Sequence, residues 1–291
     1  MPKANKHKRK IPVTISTPAA ATSTSSSNPQ ATRTVIRRFH VLIKRKAQLE
    51  KGLKDGKLPH AQTREELAAI EEEIQDMGGL ETYQRMSSIG QGNDRGGGSE
   101  KVLIGWLNEL GERQRAHQEK RRLRLLEVGA LKPDNYASCT TWIENTCIDL
   151  HSRHPDIKEQ DFLLLEPDEN REKWDMISLS LVVNFVPEPK DRGRMLQLAH
   201  TFLQRNGYLF LALPLPCILN SRYLTPDHLR TLMNHIGFEE IYSRWKEGGK
   251  MAYWLYKKRP SIPQTTLNAV KPFTKKVVMR TGNRNNFCIL L

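Results

Sequence analysis

Arg122-Leu-Arg-Leu-Leu-Glu-Val-Gly-Ala130 is an apolar run that ends in an acid and a glycine. It reads as a buried parallel strand breaking into a tight turn. Twenty residues after Gly129 comes Cys147-Ile-Asp-Leu150, a second short strand that ends in Asp149. In nucleotide-binding α/β folds the first turn needs a glycine so that the backbone can approach its ligand. An acid about 20 residues on, at the tip of the neighbouring strand, can accept hydrogen bonds from ribose hydroxyls. A lone glycine is equally compatible with an ordinary strand-to-helix turn beside a surface aspartate, so the surrounding chain has to decide.

Downstream the pattern alternates. A weak strand near Ile157 leads to Gln160-Asp-Phe162. Lys173-Trp-Asp-Met-Ile-Ser-Leu-Ser-Leu-Val-Val183 is a long apolar strand running into Asn184-Phe-Val-Pro187. Met195, Leu196, Leu198, Ala199, Phe202 and Leu203 have helical spacing, closed by Asn206-Gly207, and Tyr208-Leu-Phe-Leu-Ala-Leu213 is the next buried strand, broken by Pro214 and Pro216. Thr225-Pro226 caps a helix that runs to Gly237. Phe238 to Lys246 and Lys250 to Lys257, joined through Gly248-Gly249, form a hairpin. The implied fold is α/β, a mostly parallel, Rossmann-like sheet over residues 101–258 with an antiparallel C-terminal hairpin. Only about eight residues separate Leu150 from the next strand, fewer than a parallel crossover normally needs, so that edge is short.

Upstream, Val35, Ile36, Phe39, Leu42, Ile43 and Leu49 form one helical stripe that Gly52 should stop. Thr63-x-x-Glu66 reads as a capping box for a second helix ending at Gly78-Gly79. Residues 33–79 are therefore a helical hairpin, read as a packing module. Residues 80–100 are glycine-rich and too long for a simple connector, a length typical of lids. Lys101 to Leu110 resumes helical spacing, and the basic segment Arg113 to Arg122 leads into the first strand.

The net charge of +14 lies at the ends. Residues 1–10 carry five Lys/Arg, 31–46 six and 259–291 six, with no acid among them, which leaves 29 Lys/Arg against 32 Asp/Glu over residues 47–258, net −3. A polyanion is the natural partner of such arms. Alternatively, Lys6-His-Lys-Arg-Lys10 is a nuclear address. Residues 1–32 are Ser/Thr-rich and low in bulky apolar groups, as expected of a disordered arm. The four cysteines form no C-x-x-C pair and no metal spacing, which suits a reducing compartment. No apolar run is long enough to span a bilayer. Cys288-Ile-Leu-Leu291 spells a prenylation box, but after Asn285-Asn-Phe287 it reads better as a final β-forming segment of a basic tail.

Ser178-Leu-Ser-Leu-Val-Val-Asn-Phe-Val-Pro187, Arg192-Gly193 with Met195-Leu196, Pro214-Leu-Pro-Cys217 with Asn220-Ser-Arg-Tyr223, and the Tyr83-Gln84, Gly90-Gln91 and Arg95-Gly-Gly-Gly98 stretch resemble one family. It is the fungal nucleolar family of class I S-adenosylmethionine-dependent methyltransferases that act on adenine N1 of 25S ribosomal RNA. The resemblance covers roughly Arg33 to Lys258. It implies S-adenosyl-L-methionine as cofactor and ribosomal RNA or a pre-ribosomal particle as partner. It also implies a nuclear, nucleolar monomer that uses neither metal nor membrane. By resemblance, Gly129 lies under the methionine part of the cofactor, Asp149 binds its ribose, and Asp161 with Phe162 sits beside the adenine. The Asn-Pro-Pro-Tyr tetrad of many adenine-N6 enzymes is absent. Asn184 with Phe185 stands in that place and is the candidate catalytic residue. Arg222 and Tyr223 either hold a base or phosphate or close the cofactor pocket. A metazoan relative of the family is an S-adenosylmethionine sensor, so a non-catalytic sensor is the alternative; the basic arms favour RNA.

Overall fold

The computed structural model describes residues 29–83, 98–152, 154–259 and 273–291. The basic cluster Lys6 to Lys10, the Ser/Thr-rich arm and Gln84 to Gly97 of the glycine-rich stretch lie outside them.

Seven strands form one sheet: β1 (Leu123–Val128), β2 (Ile143–Asp149), β3 (Lys158–Glu159), β4 (Trp174–Ser180), β5 (Leu203–Pro214), β6 (Phe238–Trp245) and β7 (Met251–Lys258). Their order is β3-β2-β1-β4-β5-β7-β6. β1 to β5 pair in parallel, and β7 runs antiparallel to both β5 and β6. The expected short edge is real: β3 has two residues and joins β2 without a helix. β1 and β4 are buried nearly throughout, because helices and loops cover both faces.

α3 (Ser99–Glu109) and α4 (Glu112–Gln118) cover one face, where Leu103, Trp106 and Leu107 pack on Leu125, Met176 and Phe210. α6 (Pro189–Phe202) and α8 (Pro226–Ile236) cover the other, packing on Leu126, Ile177 and Leu211. The short helices α5 (Pro167–Asn170) and α7 (Pro216–Leu219) lie in the connections before β4 and after β5. α8 begins as its sequence predicts: Thr225 Oγ1 accepts from His228 N, with Pro226 at the first turn, and Gly237 ends it at φ +110°.

The hairpin is antiparallel, but its punctuation differs from the sequence reading. α1 (Pro29–Lys54) begins before residue 33 and runs through Gly52, which sits beside the Leu58 side chain. α2 (His60–Asp76) starts three residues before Thr63. Thr63 Oγ1 donates to the Pro59 carbonyl, and Glu66 reaches across to Arg45 at 2.6 Å, so there is no capping box. Tertiary pairing has overridden the local motif: Arg38–Glu73, Arg45–Glu66 and Lys46–Glu71 rung the two helices together. Leu42, Leu49 and Ile70 are buried between them.

Residues 273–291 are neither a strand nor a free basic tail. One bridge, Ser221 to Asn285, is their only strand-like pairing among the described residues. Phe287 and Ile289 join the core on the α6/α8 face, and the Cys288 thiol is buried, which also removes the prenylation-box reading. Arg280 donates to the carbonyls of Ile218, Leu219, Ser221 and Leu224, while Arg284 donates to Thr281 O at 2.9 Å. These two cations are fixed by backbone, and Arg259 lies 3.7 Å from Glu239. Lys275 and Lys276 remain exposed.

Candidate active site

The parallel strands deliver their C-terminal ends to one edge, and the sequence candidates collect there. Gly129 follows β1, Asp149 ends β2, Asp161 comes two residues after β3, and Asn184 lies four residues after β4. The chain order reverses between β1 and β4, which is where open α/β sheets form a crevice for ligands.

At Gly129 the backbone turns at φ +73°, and its N–H donates to Ile148 O at 2.8 Å. A Cβ added there would lie 2.7 Å from Val182 Cγ2. Glycine is thus required twice, by its dihedral and by the loop leaving β4. The loop itself is bent by Leu181, at φ +60°, a conformation costing a non-glycine residue roughly 1–2 kcal/mol. Such strain persists only where the surroundings fix it. Arg192 is one fixture. Its guanidinium donates to Val186 O at 2.7 Å, Pro187 O at 2.8 Å and Cys288 O at 2.6 Å, and lies 4.6 Å from the Phe287 ring centroid. Gly193 follows because the Leu290 carbonyl occupies the place of any Cβ. The Arg192-Gly193 pair therefore ties the Asn184 turn to residues 287–290.

Asp149 is half-buried. Its Oδ1 accepts from His151 N at 2.9 Å, and burial raises its pKa from the ordinary aspartate value, against the pull of that hydrogen bond. Asp161 caps a short 3-10 turn, its Oδ1 accepting from Leu163 N at 2.8 Å, while Phe162 is buried. Asn184 is 4% exposed, and its Oδ1 has no hydrogen-bond partner among the described residues. A buried carbonyl oxygen without a donor costs about 1–3 kcal/mol. An oxygen kept in that state is suited to a donor that arrives with a ligand.

Glu127 was legible only as the acid before the glycine. Its carboxylate accepts from Asn135 Nδ2 at 2.6 Å and Asn145 Nδ2 at 2.8 Å, clamping the loop after Gly129 onto β2. Burial raises its pKa, and these amides oppose the rise. Arg222 donates to Asn286 Oδ1 at 2.6 Å, and Lys276 Nζ lies 5.8 Å from the Tyr223 ring centroid, so this pair faces segment 273–291. A cavity of about 490 Å³ opens elsewhere, between Leu126, Thr146, Gln160 and Trp174 along the strands, and none of the four candidates lines it. Among the described residues there is no cluster of side chains suited to a metal, and no helix long and apolar enough to cross a membrane.

A seven-stranded sheet in this order, with one strand antiparallel, a glycine turn after the first strand and an acid at the tip of the second, defines a class I methyltransferase fold. The chain belongs to the family described as 25S rRNA (adenine(2142)-N(1))-methyltransferase, Bmt2, whose model matches residues 68–289. It is 35% identical over 264 residues to the 25S rRNA adenine-N(1) methyltransferase of Schizosaccharomyces pombe, covering 88% of this chain and 91% of that one. It is 33% identical over 270 residues to the 25S rRNA (adenine(2142)-N(1))-methyltransferase of Saccharomyces cerevisiae, covering 92% and 74%. Among solved structures it is similar to the Burkholderia thailandensis 1,6-didemethyltoxoflavin-N1-methyltransferase, with 15% identity, a TM-score of 0.39, and coverage of 52% of this chain and 77% of that one.

Proposed function

We propose that the chain transfers a methyl group from S-adenosyl-L-methionine to N1 of an adenine in 25S ribosomal RNA. The observation that carries this reading is the span of the family match: residues 68–289 include Gly129, Asp149, Asp161, Asn184 and all seven strands of the sheet. The residues fit the cofactor. A tight glycine turn, a neighbouring half-buried carboxylate and an orphaned acceptor share one strand edge. Gly129 would let the backbone approach the cofactor, Asp149 would accept from its ribose hydroxyls, and the turn capped by Asp161 would hold its adenine.

When bound, the cofactor supplies a sulfonium methyl that is already electrophilic, so adenine N1 can take it with its own lone pair and no side chain need act as a base. Alignment is then the main task of the protein. Asn184 Oδ1 accepts a hydrogen bond from the exocyclic amino group of the base, and the same dipole stabilises the positive charge that N1 acquires. Asn184 is itself buried, between the buried Val183 and the half-buried Phe185. The target adenine must offer its N1 edge unpaired or flipped out. On this reading the protein works as a monomer in the nucleolus, on ribosomal RNA or a pre-ribosomal particle, with Lys6 to Lys10 as its address.

The test is methyl transfer by purified protein to 25S ribosomal RNA from cells lacking the modification, with nucleosides resolved by mass spectrometry. N1-methyladenosine is expected, and Asn184→Ala should lower the rate more than about tenfold, roughly 1.4 kcal/mol. Methyl on N6 alone would refute the position. Tight cofactor binding with no transfer to RNA would favour a sensor.

A further inference from the structure

The helical hairpin touches the acceptor turn. Phe39, from the middle of α1, stacks on Tyr83 with ring centroids 4.6 Å apart and planes 12° apart. Tyr83 in turn meets Phe185 edge-on, at 5.4 Å and 68°. Phe39 is 2% and Tyr83 8% exposed, so the stack is a packed unit rather than a surface contact. α1 then continues along the same segment. Lys51 Nζ lies 3.0 Å from Glu188 Oε2, and Lys44 is half-buried near Arg192 and Cys217. One helix thus follows the chain from Phe185 to Arg192. Ser99, the first residue of α3, lies beside the same strand, its Oγ 2.6 Å from Ser180 Oγ at the end of β4.

The acceptor turn carries a left-handed Leu181 and an unpartnered Asn184 oxygen, so its conformation must be held from outside. Arg192 grips its far end through Val186 and Pro187. Nothing in that grip reaches Phe185, the residue next to Asn184. The Tyr83 ring does.

We propose that Tyr83 is a positioning residue for methyl transfer: the helical hairpin carries it to Phe185, and the edge-on contact sets Asn184 Oδ1 on the acceptor base. This rests on the adenine-methylation reading. It makes the hairpin a part of the acceptor site and not a separate RNA-binding module. The ring is the working part, so phenylalanine should replace tyrosine, whereas leucine should not.

The experiment uses the full chain with Tyr83→Phe, Tyr83→Leu, Phe185→Leu and the Tyr83→Leu/Phe185→Leu double variant. It measures steady-state transfer to unmodified 25S ribosomal RNA, S-adenosylmethionine affinity by calorimetry, and amide exchange across residues 182–186. Tyr83→Leu should lower kcat about three- to tenfold, the range set by one aromatic contact. KM for RNA and cofactor affinity should stay unchanged, and exchange at Phe185 N–H, which donates to Val182 O at 2.9 Å, should speed up. Tyr83→Phe should retain wild-type kcat, and the double variant should lose no more than either single one. Unchanged kcat in Tyr83→Leu, an equal loss in Tyr83→Phe, additive losses, or an effect on KM alone would each overturn the proposal. If Tyr83→Leu does not fold, Phe185→Leu decides from the other side of the contact. A wild-type protein that modifies no RNA would instead overturn the methylation reading, and the exchange experiment would still report on the contact.

Discussion

Ile289→Ala tests whether residues 273–291 are core or arm. Ile289 is 0% exposed, between Phe287 at 5% and Leu290 at 8%, and lies in the cluster under α6 and α8. Removing a fully buried isoleucine side chain costs about 2–5 kcal/mol, part transfer and part cavity. Against a total stability of roughly 5–15 kcal/mol that is a large fraction. With m of roughly 3 kcal/mol per M in urea, a loss of about 3 kcal/mol lowers the midpoint by about 1 M. The charge is unchanged, so the salt dependence of RNA binding should keep its slope. The contrast is Lys275→Ala/Lys276→Ala, at exposed positions in the same segment. That pair should leave stability within about 0.5 kcal/mol per site. It should also flatten the log–log salt dependence of RNA binding, by about 0.7–0.9 for each phosphate that the lysines no longer neutralise. Equilibrium urea unfolding and fluorescence titration at several salt concentrations decide both. An Ile289→Ala midpoint equal to wild type would refute the packing argument, and a lysine pair as destabilising as Ile289→Ala would show that the segment is held by charge.

Gly129→Ala should weaken S-adenosylmethionine binding at least tenfold in calorimetry, because the new Cβ lies at φ +73° and 2.7 Å from Val182 Cγ2 and displaces the loop that carries Asn184. Asp149→Asn should cost about 1–3 kcal/mol of cofactor affinity. Burial raises the pKa of Asp149, so its carboxylate gains a proton as pH falls from 7 through that raised value. Wild-type affinity should therefore decline over that interval while the Asn variant stays flat, and parallel pH profiles would show that another acid binds the ribose.

The sheet was legible because its signals are local and mutually consistent. The apolar runs at β1 and β4, the Thr225-Pro226 cap and the Gly248-Gly249 hairpin each state one element and agree on the fold. Where a local pattern competed with a tertiary partner, the partner won: Glu66 looked like half of a capping box and pairs instead with Arg45. Gly129 and Asp149 were marked in the sequence by their places after β1 and at the end of β2, and Asp161 by the family resemblance. Arg192 and Tyr83 stood out only as parts of the resembling motifs, because no sequence periodicity encodes the contacts of Arg192 with Cys288 O and of Tyr83 with the Phe185 ring. The partners of individual cations were hidden for a related reason. Counting charge does not reveal that Arg280 points at four carbonyls, or that Arg38, Arg45 and Lys46 face glutamates.

The Arg192–Cys288 contact spans 96 positions, so it bears on how the protein is made. A chain emerging from the ribosome has β1, β4 and Asn184 in hand long before residues 287–290 exist. Until those arrive, the floor beneath α6 and α8 is uncovered and the acceptor turn lacks its anchor. A product that stops near residue 270 would expose apolar surface to proteases and chaperones. The grip of Arg192 on the Cys288 carbonyl therefore forms only after residues 287–290 have been made.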